Sequence, residues 1–110
     1  MTTALLRAAA RLQIPQRAVA RIIGVSEATV SRLQSGRALL SPDDKAFELA
    51  VLFIRIFRSL DAVLGGDDAA ARAWLRSANL ALGDVPLVRL QSVTGLVDVL
   101  SYLDSRRAQV

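Results

Sequence analysis

Apolar residues recur at helical spacing along almost the whole chain. Leu5, Leu6, Ala9 and Leu12 share one face of a first helix, which Thr3 is placed to cap and Pro15 to end. Gly24 and Gly36 end two shorter segments, giving helices over about 16–23 and 27–34, with Ser26 as N-cap of the latter. The run Ser41-Pro42-Asp43-Asp44 reads as another helix start: a capping hydroxyl, a proline in the first turn, and acids beside the positive end of the dipole. That helix is predicted to reach about residue 64, where Gly65-Gly66 stops it. Its polar positions, Asp44, Glu48, Arg55, Arg58 and Ser59, form only a thin stripe. A helix apolar on most sides is buried on most sides, and a chain of 110 residues offers little to cover it. The expectation is a central helix that joins two halves and contributes to a homodimer interface.

Asp67 or Asp68 then caps a helix to about residue 76, and an irregular stretch turns near Gly83 and Pro86. Ser92 caps a last helix over about 93–107, with Leu96, Val99, Leu100 and Leu103 as its apolar face. No segment alternates with period two, so the predicted class is all-α. Three regions follow: an N-terminal helical region over 1–40, a central dimerisation helix over 41–66, and a small helical module over 67–110.

Composition narrows the chemistry. Apolar residues make up 53% of the chain, enough for a real core, and there is neither Cys nor His. That removes thiolate metal sites, the commonest metal ligand and the commonest general base. Lys45 is the sole lysine, and Glu27 and Glu48 are the sole glutamates. The expectation is no enzyme, no cofactor and no metal site. The most apolar segment, 47–64, holds at most six apolar residues in a row, between Glu48 and Arg55. A spanning helix needs about 20. The start of the chain has no run of signal-peptide type, so a soluble cytoplasmic protein is expected.

The charge sits at one end. Residues 1–40 carry six arginines against Glu27 alone, a balance of +5, whereas residues 41–110 carry eight basic and nine acidic groups, a balance of −1. A polyanion partner at the N-terminal end is the direct functional reading, and a solvated basic surface is the alternative.

The window 16–35 passes a stricter test than helical period. A helix-turn-helix needs a small residue where its helices cross, and Ala20 supplies one. It needs a turn residue tolerant of positive φ, and Gly24 supplies that. Its inward anchors are Val19, Ile23, Val25, Val30 and Leu33. An ordinary helical hairpin does not require this spacing. The second helix then offers Glu27, Ala28, Thr29, Ser31 and Arg32 outward: short polar groups, a methyl and one long donor, which suit a major groove. Gln16 and Arg17 start the first motif helix and Arg37 follows the second, all three as phosphate contacts. Glu27 repels phosphate; it either accepts from cytosine N4 or is a solvated helix-start charge. The window resembles the helix-turn-helix of Xre/Cro-type repressors. That resemblance implies operator binding, usually as a dimer.

The last forty residues add a second pattern. Trp74 is the sole tryptophan, and core packing explains it without further function. Asn79 lies in the irregular link, where its side chain is able to cap neighbouring backbone. Together with Trp74-Leu75 and Asn79, the residues Leu82-Gly83, Pro86-Leu87, Leu90, Thr94-Gly95, Val99 and Tyr102-Leu103-Asp104 resemble the toxin-binding domain of Xre/MbcA/ParS-type antitoxins. The chain departs from that pattern in having Ala78 where a proline is common, Asp84 where a second glycine often follows Gly83, and Ala108 nearest the place of a late glycine.

The resemblance implies an antitoxin, with 1–40 as its helix-turn-helix DNA-binding region and 67–110 as its toxin-binding domain, for a RES-domain toxin, a class that consumes NAD or transfers its ADP-ribose. The C-terminal helix and tail are then expected over the toxin's substrate cleft, and the N-terminal domain on the antitoxin's own promoter. On that reading Trp74, Asn79, Tyr102, Asp104, Arg106, Arg107 and Val110 bind toxin. A site for NAD must hold pyrophosphate and so offers cations, which a carboxylate of Asp104 or of the Val110 terminus would meet. Arg106 and Arg107 would pair with toxin acids. A solvated, frayed helix end is the alternative for these residues. The competing function is a stand-alone Xre-like repressor whose second half only dimerises or binds a small ligand.

Overall fold

In the computed structural model, which describes residues 1–108, Pro15 and Gly24 set the two ends of the second helix. Helices α1 (Thr2–Arg11), α2 (Gln16–Ile23) and α3 (Glu27–Gln34) make up the N-terminal part. Gly24 takes φ +73°, the left-handed region that a side chain rarely adopts. A Cβ there would stand 3.5 Å from Leu49 Cδ1, so the turn also packs on the rest of the protein. α1 starts after Met1, with no side-chain cap, so the predicted capping role of Thr3 is not met. Its neighbour Thr2 instead accepts from the Leu40 N–H at 3.0 Å and holds the chain that leaves α3 against α1. The buried face of α1 is Leu5, Ala8, Ala9 and Leu12; Leu6 is only half-buried.

The run at 41–44 is a turn, not a helix start. Ser41 N–H donates to Asp44 Oδ2 at 3.1 Å, and Asp44 N–H to the Ser41 carbonyl at 2.9 Å. Pro42 suits the second position of such a turn as well as the first of a helix, and the mutual Ser41–Asp44 bonds close it. α4 (Lys45–Val63) follows, with Asp44 at its N-cap position.

α4 is the axis of the molecule. It packs along α7 (Val93–Ala108) and also against α1, α2 and α5 (Asp68–Arg76). Phe53, Ile56 and Leu60 are at most 1% exposed within the single chain. Contrary to the expectation that one protomer is too small to cover α4, Phe53 is buried within the single chain, and helices from both halves pack on the axis. Phe57 is half-buried, and Arg11 lies over its ring with Cζ 4.8 Å from the centroid.

The C-terminal half consists of α5, the short α6 (Pro86–Arg89) and α7. Among the described residues the only extended pairing is an isolated bridge between Asn79 and Asp84, which agrees with the all-α expectation. No described helix is long and apolar enough to cross a membrane.

A polar clasp ties α1 to α5. Arg11 Nη2 and Nε donate to the two Asp68 oxygens at 2.8 and 3.1 Å. Arg72 donates to the Arg11 carbonyl at 3.1 Å, and Arg76 to the Gln13 carbonyl at 2.8 Å. The first satisfies a carbonyl that the end of α1 leaves open, and the second one just past it. The hydrogen bond from Arg11, reinforced by its charge and that of Arg72, holds the Asp68 carboxyl below its ordinary value against a smaller opposing effect of desolvation.

Candidate nucleic-acid and partner interfaces

The N-terminal motif folds as its spacing requires. Ala20, Val19, Ile23, Val30 and Leu33 are buried and Val25 is half-buried, so all the anchors face inward. That turns Glu27, Ala28, Ser31 and Arg32 to the surface, with Thr29 partly covered. Ser26 Oγ accepts from the Thr29 N–H at 3.1 Å and caps α3. Arg32 Nη2 donates to Thr29 Oγ1 at 3.0 Å, which lays the guanidinium along the outer face of α3.

Gln16 makes a bond within the motif itself. Its Nε2 donates to the Glu27 carbonyl at 2.9 Å and so clamps the start of α3 to the start of α2. Glu27 also stands 3.9 Å from Arg17, a loose exposed pair of small energetic value. Arg37 Nε donates to Ser35 Oγ at 3.1 Å just past α3. An open groove of about 470 Å³ runs between α2 and α3, lined by Arg17, Ala20, Arg21, Val25 and Glu27. Arg21 was not singled out in the sequence, although it follows Arg17 by four residues and so falls on the same helix face.

In the C-terminal half, Asn79 pins the link between α5 and α6. Its Oδ1 accepts from the Leu82 N–H at 3.2 Å, its carbonyl from the Gly83 N–H at 2.9 Å, and its N–H donates to the Asp84 carbonyl at 3.2 Å. Trp74 stacks on Tyr102, with centroids 6.3 Å apart and planes 20° apart. Arg106 donates to the Tyr102 hydroxyl at 3.0 Å and lies over its ring. Ser92 Oγ accepts from the Gly95 N–H at 3.1 Å at the start of α7, as expected of a cap.

Two segments of the chain match family models: residues 1–55 match the antitoxin Xre-like helix-turn-helix domain, and residues 59–108 the antitoxin Xre/MbcA/ParS C-terminal toxin-binding domain. The chain belongs to the Xre-type antitoxins. No curated protein matches it. The two matched segments meet inside α4, so one continuous helix carries the end of one domain and the start of the other.

Within this antitoxin the last helix forms over the span that the sequence leads one to expect, about 93–107. α7 runs to Ala108, with Arg106 and Arg107 in its last turn, where cations favour the negative end of the dipole. Asp104 Oδ1 accepts from Ser59 Oγ at 3.0 Å, and its Oδ2 lies 3.4 Å from Arg55. Arg107 donates to the same Ser59 oxygen at 3.1 Å. These contacts bind the end of α7 to α4. The structure thus spends Trp74, Asn79 and Tyr102 largely on the module's own architecture, and folds Asp104 and Arg107 back. Asp104 nonetheless keeps 45% of its side chain exposed, and Arg106 and Arg107 are both on the surface. Val110 lies outside the described residues.

The departure from the family pattern at Asp84 needs no left-handed backbone. Among the described residues Gln13 is the only non-glycine with positive φ, so Asp84 sits in an ordinary conformation where a second glycine is often found. Its Oδ1 accepts from the Val85 N–H at 2.7 Å, at the entry to α6. Among the described residues no group of three or more His, Cys, Asp or Glu is placed to hold a metal.

Proposed function

We propose that this antitoxin neutralises a RES-type, NAD-consuming toxin by covering its active site, and represses its own operon by binding operator DNA as a dimer in the cytoplasm. The observation that carries the proposal is the pairing, on one chain, of an outward recognition helix with a module of the toxin-binding family. Both families are in general binding proteins and not enzymes, which fits a chain that acts by occupying sites. A single two-turn recognition helix reads few bases, so two copies on a two-fold operator are the economical way to specificity. In this reading Ala28, Thr29, Ser31 and Arg32 meet base edges, while Arg17, Arg21 and Arg37 meet phosphates. The exposed part of Asp104 and the arginines at the end of α7 are available to the toxin's cleft and its rim.

The experiment is co-expression of the chain with the product of the adjacent reading frame, with only the neighbour tagged. Co-purification, with cellular NAD falling only when the neighbour is expressed alone, is the expected result. A harmless neighbour that retains no antitoxin would leave a plain repressor.

Two predictions belong to this reading. Arg32→Ala should weaken binding to the operator by about 1–3 kcal/mol while sparing non-specific duplex, if its guanidinium makes a bidentate base contact. Anisotropy titrations on operator and scrambled duplexes measure this; equal losses on both would make Arg32 a phosphate contact. Ending the chain at Asp104 should abolish neutralisation and leave operator affinity unchanged. The cut has to spare Leu103, which is buried against the core. Full protection from the shortened chain would remove the end of α7 from the mechanism.

A further inference from the structure

The antitoxin exposes large apolar side chains in one short stretch. Six are strongly exposed among the described residues, and four of them, Leu80, Val88, Val93 and Val97, fall within 18 consecutive positions. The other two, Met1 and Leu39, lie in the N-terminal half. Leu80 is 102% exposed at the turn that Asn79 pins; Val88 on α6 is 54%, and Val93 and Val97 on α7 are 60% and 44%. Val93 and Val97 are one helical turn apart and so share a face. The residues that α7 buries, Leu96, Val99, Leu100 and Leu103, occupy the side that meets α4.

The same surface is poor in charge. Between Val85 and Val97 the single charged residue is Arg89, and it is paired with Asp98. The exposed polar groups there, Ser92 and Thr94, are small and neutral. An apolar centre depleted of charge is the composition of an interface core. The surface is also rigid. Gly95 lets α7 approach the Arg89 backbone so closely that a Cβ would stand 2.0 Å from the Arg89 carbonyl oxygen. Asn79 and Ser92 fix the two turns. A pre-formed face loses little entropy on binding. Nucleic acid is a poor occupant, because the face offers it no free cation.

We infer that the α6–α7 face carrying Val88, Val93 and Val97, with Leu80 at its edge, is the main docking surface for the toxin. The inference rests on the antitoxin reading and on the family match over 59–108, which contains all four residues. The end of α7 then serves to reach the cleft, while this face supplies the affinity. The toxin's complementary surface is correspondingly apolar and charge-poor.

The test uses the full chain and the purified product of the adjacent reading frame. Val93→Asp and Val97→Asp are made singly, since both side chains point to solvent and their loss opens no cavity. Circular dichroism and operator affinity verify that each variant folds. Toxin affinity is expected to fall at least about tenfold for each, as buried interface anchors do when a charge replaces them. Wild-type binding with unchanged affinity in both variants would overturn the docking face and leave the antitoxin reading intact. No complex with the wild-type chain would overturn that reading, and this inference with it. Light scattering provides the remaining arm: a wild-type dimer that either variant makes monomeric would assign the face to a second copy of this chain and overturn its assignment to the toxin.

Discussion

Phe53→Ala should cost about 3–5 kcal/mol of folding stability, the usual range for emptying a fully buried phenylalanine site. Phe53 is 1% exposed at the middle of α4, where helices from both halves meet the axis. A typical domain is stable by only about 5–15 kcal/mol, so the variant stands near the edge of unfolding. Phe53→Asp should unfold the chain outright, because a carboxylate there would have neither partner nor water. Phe57→Ala is the control. Its ring is half-buried beneath Arg11, and its loss should be clearly smaller. Urea denaturation followed by far-ultraviolet circular dichroism measures all three. A Phe53→Ala chain that keeps its stability and loses only self-association would instead place the ring between protomers.

Gly95→Ala is the second large effect, and its sign opposes local expectation. In the interior of a helix, alanine is favoured over glycine by about 1 kcal/mol. At Gly95 the added Cβ would lie 2.0 Å from the Arg89 carbonyl oxygen and 2.7 Å from its carbonyl carbon. Those are backbone atoms of α6 and cannot swing aside. α7 must move away from α6, and overpacking of this kind costs about 1–3 kcal/mol or more. The expected result is a net loss of stability with rearrangement near the α6–α7 contact, and weaker toxin binding with it. Denaturant midpoints of Gly95→Ala against wild type check the sign. A gain in stability would mean that α6 yields easily and that the close approach is incidental.

How much of this was legible in the sequence depended on whether the signal was local. Ala20, Gly24, Ser26 and the inward anchors of α2 and α3 are set by near neighbours, and the sequence located each of them. Asp67, Asn79 and Ser92 behave likewise as caps whose partners lie three residues away. Apart from Thr3 and Ser41-Pro42, whose causes are local, the misread positions have distant causes. Ser41-Pro42 fits both a helix start and a turn, and the Ser41–Asp44 bonds decide it. The cover along α4 comes from α1, α2, α5 and α7, helices of both halves. The Ser59–Asp104 bond spans 45 positions and the Arg11–Asp68 clasp 57, beyond any periodicity. The same limit hid the exposed face of α7: Val93 and Val97 look in sequence as fit for the core as Leu96 and Val99, and only the docking of α7 on α4 separates them. Gln16 also has a distant partner that no periodicity shows, since its amide donates to the Glu27 carbonyl.

In the proposed function a DNA-reading surface and a toxin-binding surface lie on separate parts of one chain that share α4. The most direct test is sedimentation velocity on a stoichiometric mixture of operator duplex, antitoxin and toxin, with the duplex carrying a dye. One dye-labelled species heavier than the antitoxin–operator complex, containing all three components, is the predicted result. Release of free duplex when toxin is added in equal amount would contradict it, because the two partners would then compete for one surface.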